Sequence, residues 1–130
     1  MLQRAKHKKA IADVNVVQMD VEKLAFPDEV FDAAISTYVF CSVEDPISGL
    51  MEIKRVLKEA GVVAFLEHMR SEKELMGRVM DVLNPIVVRN FGPNINRRTV
   101  RNIQRAGFEI LKEEYFMSTV FRLIVAKPKK

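Results

Sequence analysis

Asp20 closes the short β-branched run Asn15-Val16-Val17-Gln18-Met19, and His68 stands just past the apolar run Val62-Val63-Ala64-Phe65-Leu66. A carboxylate beyond the carboxyl end of a strand is where open α/β sheets place ligands, although a strand-ending turn is the plainer, somewhat lighter alternative for an aspartate. An imidazole in the second place can face a substrate or take up a proton near neutral pH; a histidine simply satisfied by hydrogen bonds is the plainer reading. Thr37 and Tyr38 directly follow a second strand-like run, Val30 to Ser36, where aromatic and β-branched residues also occur for packing alone. Asn94, Asn96 and Arg97 occupy the loop Phe91-Gly92-Pro93-Asn94-Ile95-Asn96 and its exit, either lining a substrate or supplying turn geometry, with the turn reading the heavier. No residue stands out as catalytic. The single cysteine, Cys41, excludes an intrachain disulfide and any cysteine cluster for zinc, and reads as a small buried hydrophobe. With only His7 and His68 besides, no metal site is expected.

The elements that would position these groups follow from periodicity. Leu2 to Ala12 is polar and helix-favouring, like the tail of a helix, and Asn15–Met19 and Val30–Ser36 read as strands separated by the turn residues Phe26-Pro27-Asp28-Glu29. Asp45 caps a helix with Pro46 in its first turn and Ile47, Leu50, Met51, Ile53 and Leu57 at helical spacing, and Gly61 is expected to stop it. Val62 to Leu66 has the continuous apolar character of a strand buried on both faces. Glu72 to Arg89 suits an amphipathic helix broken or kinked at Pro85, and Val100 to Arg105 a short helix ending at Ala106-Gly107. Phe108–Phe116 and Thr119–Ala126 close the chain as two strands, the latter apolar enough to be central. This order predicts a single α/β domain over residues 1–130, with a mixed, mostly parallel sheet, helices on both faces and a carboxyl-terminal antiparallel hairpin.

Composition narrows the function classes. There are 130 residues with 21 basic and 17 acidic side chains, and much of the net charge of +4 comes from the ends, Arg4 to Lys9 and Lys127 to Lys130. Basic tails of this kind are usually solvated. They are compatible with an anionic membrane surface, whereas nucleic-acid binding would want interleaved aromatics or a reading module, and neither is present. No apolar run reaches the roughly 20 residues needed to span a bilayer, and no signal sequence is evident, so a cytoplasmic protein is expected.

The stretch Val17-Gln18-Met19-Asp20-Val21-Glu22-Lys23-Leu24-Ala25-Phe26-Pro27-Asp28, followed by Phe31-Asp32-Ala33-Ala34-Ile35-Ser36, resembles the middle of a class I S-adenosylmethionine-dependent methyltransferase. So does Glu52-Ile53-Lys54-Arg55-Val56-Leu57-Lys58-Glu59-Ala60-Gly61, in which Glu59-Ala60 replaces the proline and glycine common in that family. Phe40-Cys41-Ser42-Val43, Leu66-Glu67-His68, Leu83-Asn84-Pro85 and Gly92 to Arg97 are similar to the branch containing quinone-biosynthesis and phospholipid N-methyltransferases. The resemblance implies a Rossmann-like fold and methyl transfer from S-adenosylmethionine to a small, quinone-like or phospholipid-like acceptor. It implies that Asp20 bonds the adenine amino group, that Val21 and Glu22 line the adenine, and that Thr37 and Tyr38 line the methionyl part. His68, Asn94, Asn96 and Arg97 are the candidates for the acceptor side.

The same resemblance exposes a gap. The family grips its cofactor with a glycine-rich turn and an acidic residue that binds the ribose, whereas Gly49, Gly61, Gly77, Gly92 and Gly107 form no G-x-G motif. The expected fold is therefore incomplete, lacking the amino-terminal cofactor motif. Sulfonium alkyl transfer depends on alignment of donor and nucleophile, so weak cofactor binding by this chain alone is expected. An inner strand would become an edge, because the link from Asp20 to Glu29 is too short for a parallel crossover. Such an edge predicts a homodimer; the missing part is expected from that dimer, from a completing chain or from upstream sequence, and a non-catalytic oligomerising remnant is the alternative.

Overall fold

The computed structural model describes residues 15–116 and 120–129; the helical stretch expected at Leu2–Ala12 and the start of the last expected strand at Thr119 lie outside these. The elements are β1 (Phe31–Thr37), α1 (Pro46–Val56), β2 (Leu57–His68), α2 (Glu74–Phe91), α3 (Thr99–Arg105), β3 (Phe108–Tyr115) and β4 (Phe121–Pro128). The sheet order is β1-β2-β4-β3. β1 and β2 are parallel, as the crossover through α1 requires, while β2–β4 and β3–β4 are antiparallel. The sheet is mixed as expected but mostly antiparallel, which corrects the expected mostly parallel arrangement. The physical reason is that only one strand–helix–strand crossover joins neighbouring strands here, and the short link from Tyr115 to Phe121 forces a hairpin.

Asn15–Met19 is not a strand. It carries no regular structure, and only Asp20 makes an isolated bridge, to Lys23. β-branched residues favour extended backbone, but a strand also needs a partner within reach, and the link to β1 is too short to bring this run alongside in parallel.

Asp45 caps α1 as anticipated, its Oδ1 accepting from the Ile47 and Ser48 backbone N–H groups at 3.0 and 3.2 Å. The helix stops at Val56, not at Gly61. The Glu29 and Val30 N–H groups, entering β1, donate to the Arg55 and Val56 carbonyls at 2.9 Å each, so the helix end is satisfied by tertiary contact rather than by a breaker residue. Gly61 lies inside β2, where a Cβ would stand 2.9 Å from the Lys58 carbonyl oxygen and 3.2 Å from that of Asp32; close backbone approach is what requires glycine.

α1 and α3 share one face of the sheet. Leu50, Ile53, Ile103 and Ala106 pack there on Val63, Phe65, Ile124 and Ala126. Phe65 forms edge-to-face pairs with Phe40 and Phe108 at 5.7 and 6.2 Å. The opposite face is partly open: Val62 is 40% exposed and Ile35 81%. β2 is thus sealed on one face and half open on the other, not buried on both. α2 passes through Pro85 without ending and stops at Gly92, whose φ of 91° suits a residue lacking Cβ. Among the described residues no helix is long and apolar enough to cross a membrane.

Candidate functional site

The carboxyl ends of β1 and β2 meet at a reversal centred on Tyr38. Its φ is 55°, a left-handed conformation uncommon for a bulky side chain, and its N–H donates to the Leu66 carbonyl at 2.9 Å, extending the parallel ladder past Thr37. The fully buried Glu67 holds this reversal from beneath: one carboxylate oxygen accepts from Ser36 Oγ and from the Val39 N–H, both at 3.0 Å. Burial raises the Glu67 pKa above its ordinary 4.5, with the bonds from Val39 and Ser36 acting in the opposite direction.

A cavity of about 350 Å³ opens above this turn. Phe121 is its central wall, with its ring edge-on to His68 at 5.1 Å and to Tyr38 at 6.2 Å. Pro93 and Ile95 extend the apolar lining, and Cys41, Ser42 and Asn94 complete it. Partial burial depresses the His68 pKa below its ordinary 6.5, which favours a neutral imidazole at pH 7. Asn94 is fixed from two sides, donating through its backbone N–H to the Cys41 carbonyl at 2.7 Å and accepting from Asn84 Nδ2 at 3.1 Å. Arg97 Nη2 donates to the Val43 carbonyl at 2.8 Å, so the loop after α2 is tied along the segment after β1.

The structure therefore brings Tyr38, His68 and Asn94 into one cavity. Thr37 is an exposed strand end beside it. Asn96 turns away and donates to Asp81 of α2 at 3.1 Å, and Arg97 lines a separate cavity described below. Sequence reading did not single out Ser42, Phe121 or Glu67 as site residues, and it took Cys41 for core only. Phe121 reaches the site because its register on β4 sets it opposite His68, a pairing without local sequence signal.

Asp20, Val21 and Glu22 form a second patch. Asp20 Oδ1 accepts from the Glu22 N–H at 3.0 Å, and Glu22 in turn accepts from the Asp45 N–H at 2.8 Å, fastening the turn to the start of α1. Val21 packs on the core against Gly49, whose missing Cβ would lie 3.3 Å from Val21 Cγ1. The segment that follows is clamped by the Glu-x-x-Arg pair of α1. Glu52 Oε2 accepts from the Leu24 N–H at 2.8 Å, while Arg55 donates to the Leu24 and Phe26 carbonyls and to Asp28. Arg55, then the Leu24 N–H, holds the Glu52 carboxyl down to about 2. A depressed carboxylate contributes stability that is present above its unfolded value near 4.5 and disappears as pH falls through the folded value. In urea melts, Glu52→Gln is therefore expected to lower the midpoint at pH 7, with the gap from the parent chain closing between pH 4.5 and 2. A gap independent of pH would contradict this clamp.

As a seat for an adenosyl cofactor the described residues fit only in part. Asp20 is exposed and can accept from an amino group, but Val21 is committed to the core and Glu22 to Asp45. The chain contains no glycine-rich turn to cradle the remainder. Asp20 alone of the three is free to meet an amino group, and a glycine-rich grip is not among these residues.

The parallel crossover, the ligand-sized opening at its strand ends and the antiparallel hairpin define a protein of the Rossmann-like methyltransferase fold. Solved structures agree: YcgJ from Bacillus subtilis superposes with a TM-score of 0.74 at 14% identity, covering 98% of this chain and 76% of its own. An S-adenosylmethionine-dependent methyltransferase from Mesorhizobium loti gives 0.69 at 18% identity, covering 95% and 73%. The chain belongs to the methyltransferase domain family, whose model matches residues 1–65. Among curated relatives, the ubiquinone/menaquinone biosynthesis C-methyltransferase UbiE of Shewanella sp. (strain ANA-3) is 32% identical over 87 residues, 67% of this chain and 35% of that protein. UbiE of Marinomonas sp. (strain MWYL1) is 35% identical over 71 residues, 55% and 28% respectively. The chain spans about a third of the length of these relatives.

Proposed function

We propose that this chain forms the acceptor-side part of an S-adenosylmethionine-dependent methyltransferase acting on a small, largely apolar, quinone-like or phospholipid-like molecule in the cytoplasm. The observation that carries the reading is the cavity at the carboxyl ends of β1 and β2, walled by Tyr38, Phe121, Pro93 and Ile95 and carrying the His68 imidazole. Such a pocket suits an apolar ring or chain with one polar substituent. His68 and Asn94 are assigned to the acceptor, Tyr38 to the methionyl side of the same opening, and Asp20 to the adenine. Relatives named as ubiquinone/menaquinone biosynthesis C-methyltransferases support the acceptor class. Alignment of donor and acceptor is the main demand of methyl transfer, so the residues named here orient and enclose, with neutral His68 able to accept a proton from the acceptor.

In this reading the cofactor grip comes from residues outside the given sequence, upstream in the same protein or in a second chain, and the β1 edge is where they join. From Ala33 to Thr37 that edge presents no charge, and Ile35 is 81% exposed, whereas the other edge, β3, carries Glu109, Lys112, Glu113 and Glu114. Charged edges resist strand addition and uncharged apolar ones accept it. A homodimer is expected by equilibrium sedimentation, with only weak, non-saturating heat when the chain is titrated with S-adenosylmethionine. A monomeric mass would overturn the edge pairing. Saturable binding by a dimer would mean that the two copies complete one another, and activity appearing only when an amino-terminal methyltransferase fragment is added would identify a separate completing chain. A dimer that never binds cofactor or supports transfer, alone or completed, would leave a non-catalytic remnant.

A further inference from the structure

A second cavity, of about 630 Å³, lies between the segment after β2 and the start of α3. Five arginines line it, Arg70, Arg97, Arg98, Arg101 and Arg122, against two carboxylates, Glu72 and Glu74. Part of that charge is already answered: Arg70 pairs with Asp81 at 2.9 Å, and Arg122 pairs with Glu72 and Glu113 at 2.9 and 2.6 Å. Among the described residues, Arg97, Arg98 and Arg101 make no salt bridge.

Three donors at this cavity are also unspent. Arg97 Nε, Arg122 Nε and Thr99 Oγ1 are shielded from solvent yet make no hydrogen bond within the protein, and Thr99 and Arg122 are only 1% and 2% exposed. Leaving a buried donor unanswered costs about 1–3 kcal/mol, and all three belong to residues that line this one cavity. Small side-chain rotations that turn them outward would let an acceptor-only group with several oxygens answer them together. Guanidinium forks match a phosphate in charge and geometry.

From this arrangement we infer that the chain carries an anion site, formed by Arg97, Thr99, Arg101 and Arg122, that takes the phosphoryl group of an organic phosphate. The cavity is much larger than one oxyanion, so there is room for the organic part. The site lies apart from the opening lined by Tyr38 and His68, and it does not depend on the methyltransferase reading.

The test is calorimetric titration of the whole chain with inorganic pyrophosphate at constant ionic strength. Saturable binding of one pyrophosphate per chain is expected, weakened at least tenfold in both Arg101→Gln, a surface change that leaves the core intact, and Thr99→Val, which keeps side-chain shape. Arg78→Gln, on α2 outside the cavity, is expected to bind like the parent chain. Non-saturating heat in the parent chain, or equal weakening by Arg78→Gln and Arg101→Gln, overturns the site in favour of diffuse attraction. Given saturable binding, glycerol 3-phosphate and vesicles of phosphatidylglycerol or phosphatidylcholine distinguish the source. Competition by the soluble ester indicates a small phosphate; Arg101-dependent sedimentation with vesicles, without such competition, indicates a lipid headgroup.

Discussion

Phe65→Ala is expected to destabilise the chain by about 4 kcal/mol, the middle of the range for removing a buried aromatic ring. Phe65 is fully buried on β2 and stands edge-on to Phe40, from the segment after β1, and to Phe108, at the start of β3. Its removal loses the transfer free energy of the ring, leaves a cavity that these neighbours fill only in part, and cancels two aromatic pairs together. Domains of this size are stable by only about 5–15 kcal/mol, so the midpoint of thermal unfolding is expected to fall by more than about 10 °C. Phe65→Leu, which keeps most of the volume, is expected to recover over half of the loss. If Phe65→Ala melted within about 2 °C of the parent chain, the hydrophobic core would not be organised around this residue.

Glu67→Ala is the second large effect, expected at about 3 kcal/mol. The substitution strands the Ser36 hydroxyl and the Val39 N–H, both held by one Glu67 oxygen, and opens a small void beneath the Tyr38 reversal. Because this reversal forms the floor of the cavity lined by Tyr38 and His68, Glu67 acts as a positioning residue, and its pH dependence separates that role from packing. Burial raises its pKa above 4.5, so the native state binds a proton more readily than the unfolded chain. The contribution to stability is then fully present below pH 4.5 and declines as pH rises through the raised folded value. Glu67→Gln, which retains an acceptor oxygen but cannot titrate, is expected to lack that decline. Parallel pH profiles for the parent chain and Glu67→Gln would show that Glu67 titrates alike in both states.

Much of the frame was legible in linear sequence because local chemistry encodes it. The Asp45-Pro46 cap, the α1 periodicity, the apolar run of β2, the Gly92 and Gly107 turns and the closing hairpin all involve residues within a few positions of each other. Boundaries set by distant backbone were not legible. α1 ends at Val56 because residues 29 and 30 occupy its carbonyls, and nothing near Val56 announces it. Likewise Asn15–Met19 has the composition of a strand but no partner within reach.

The site divides in the same way. Spacing and resemblance pointed to Asp20, Tyr38, His68 and Asn94, and to the absence of a glycine-rich grip, since each is a property of residue type and order. Tertiary structure decided which of them share a cavity. Sheet register sets Phe121 beside His68, a hydrogen bond from Asn84 and one to the Cys41 carbonyl fix Asn94 there, and the turn of the loop sends Asn96 to α2 and Arg97 to the arginine-lined cavity. Residue type and periodicity are local quantities that one strand of sequence can display. Register, burial and the satisfaction of a buried donor depend on neighbours distant in the chain, and exist only once the chain has folded.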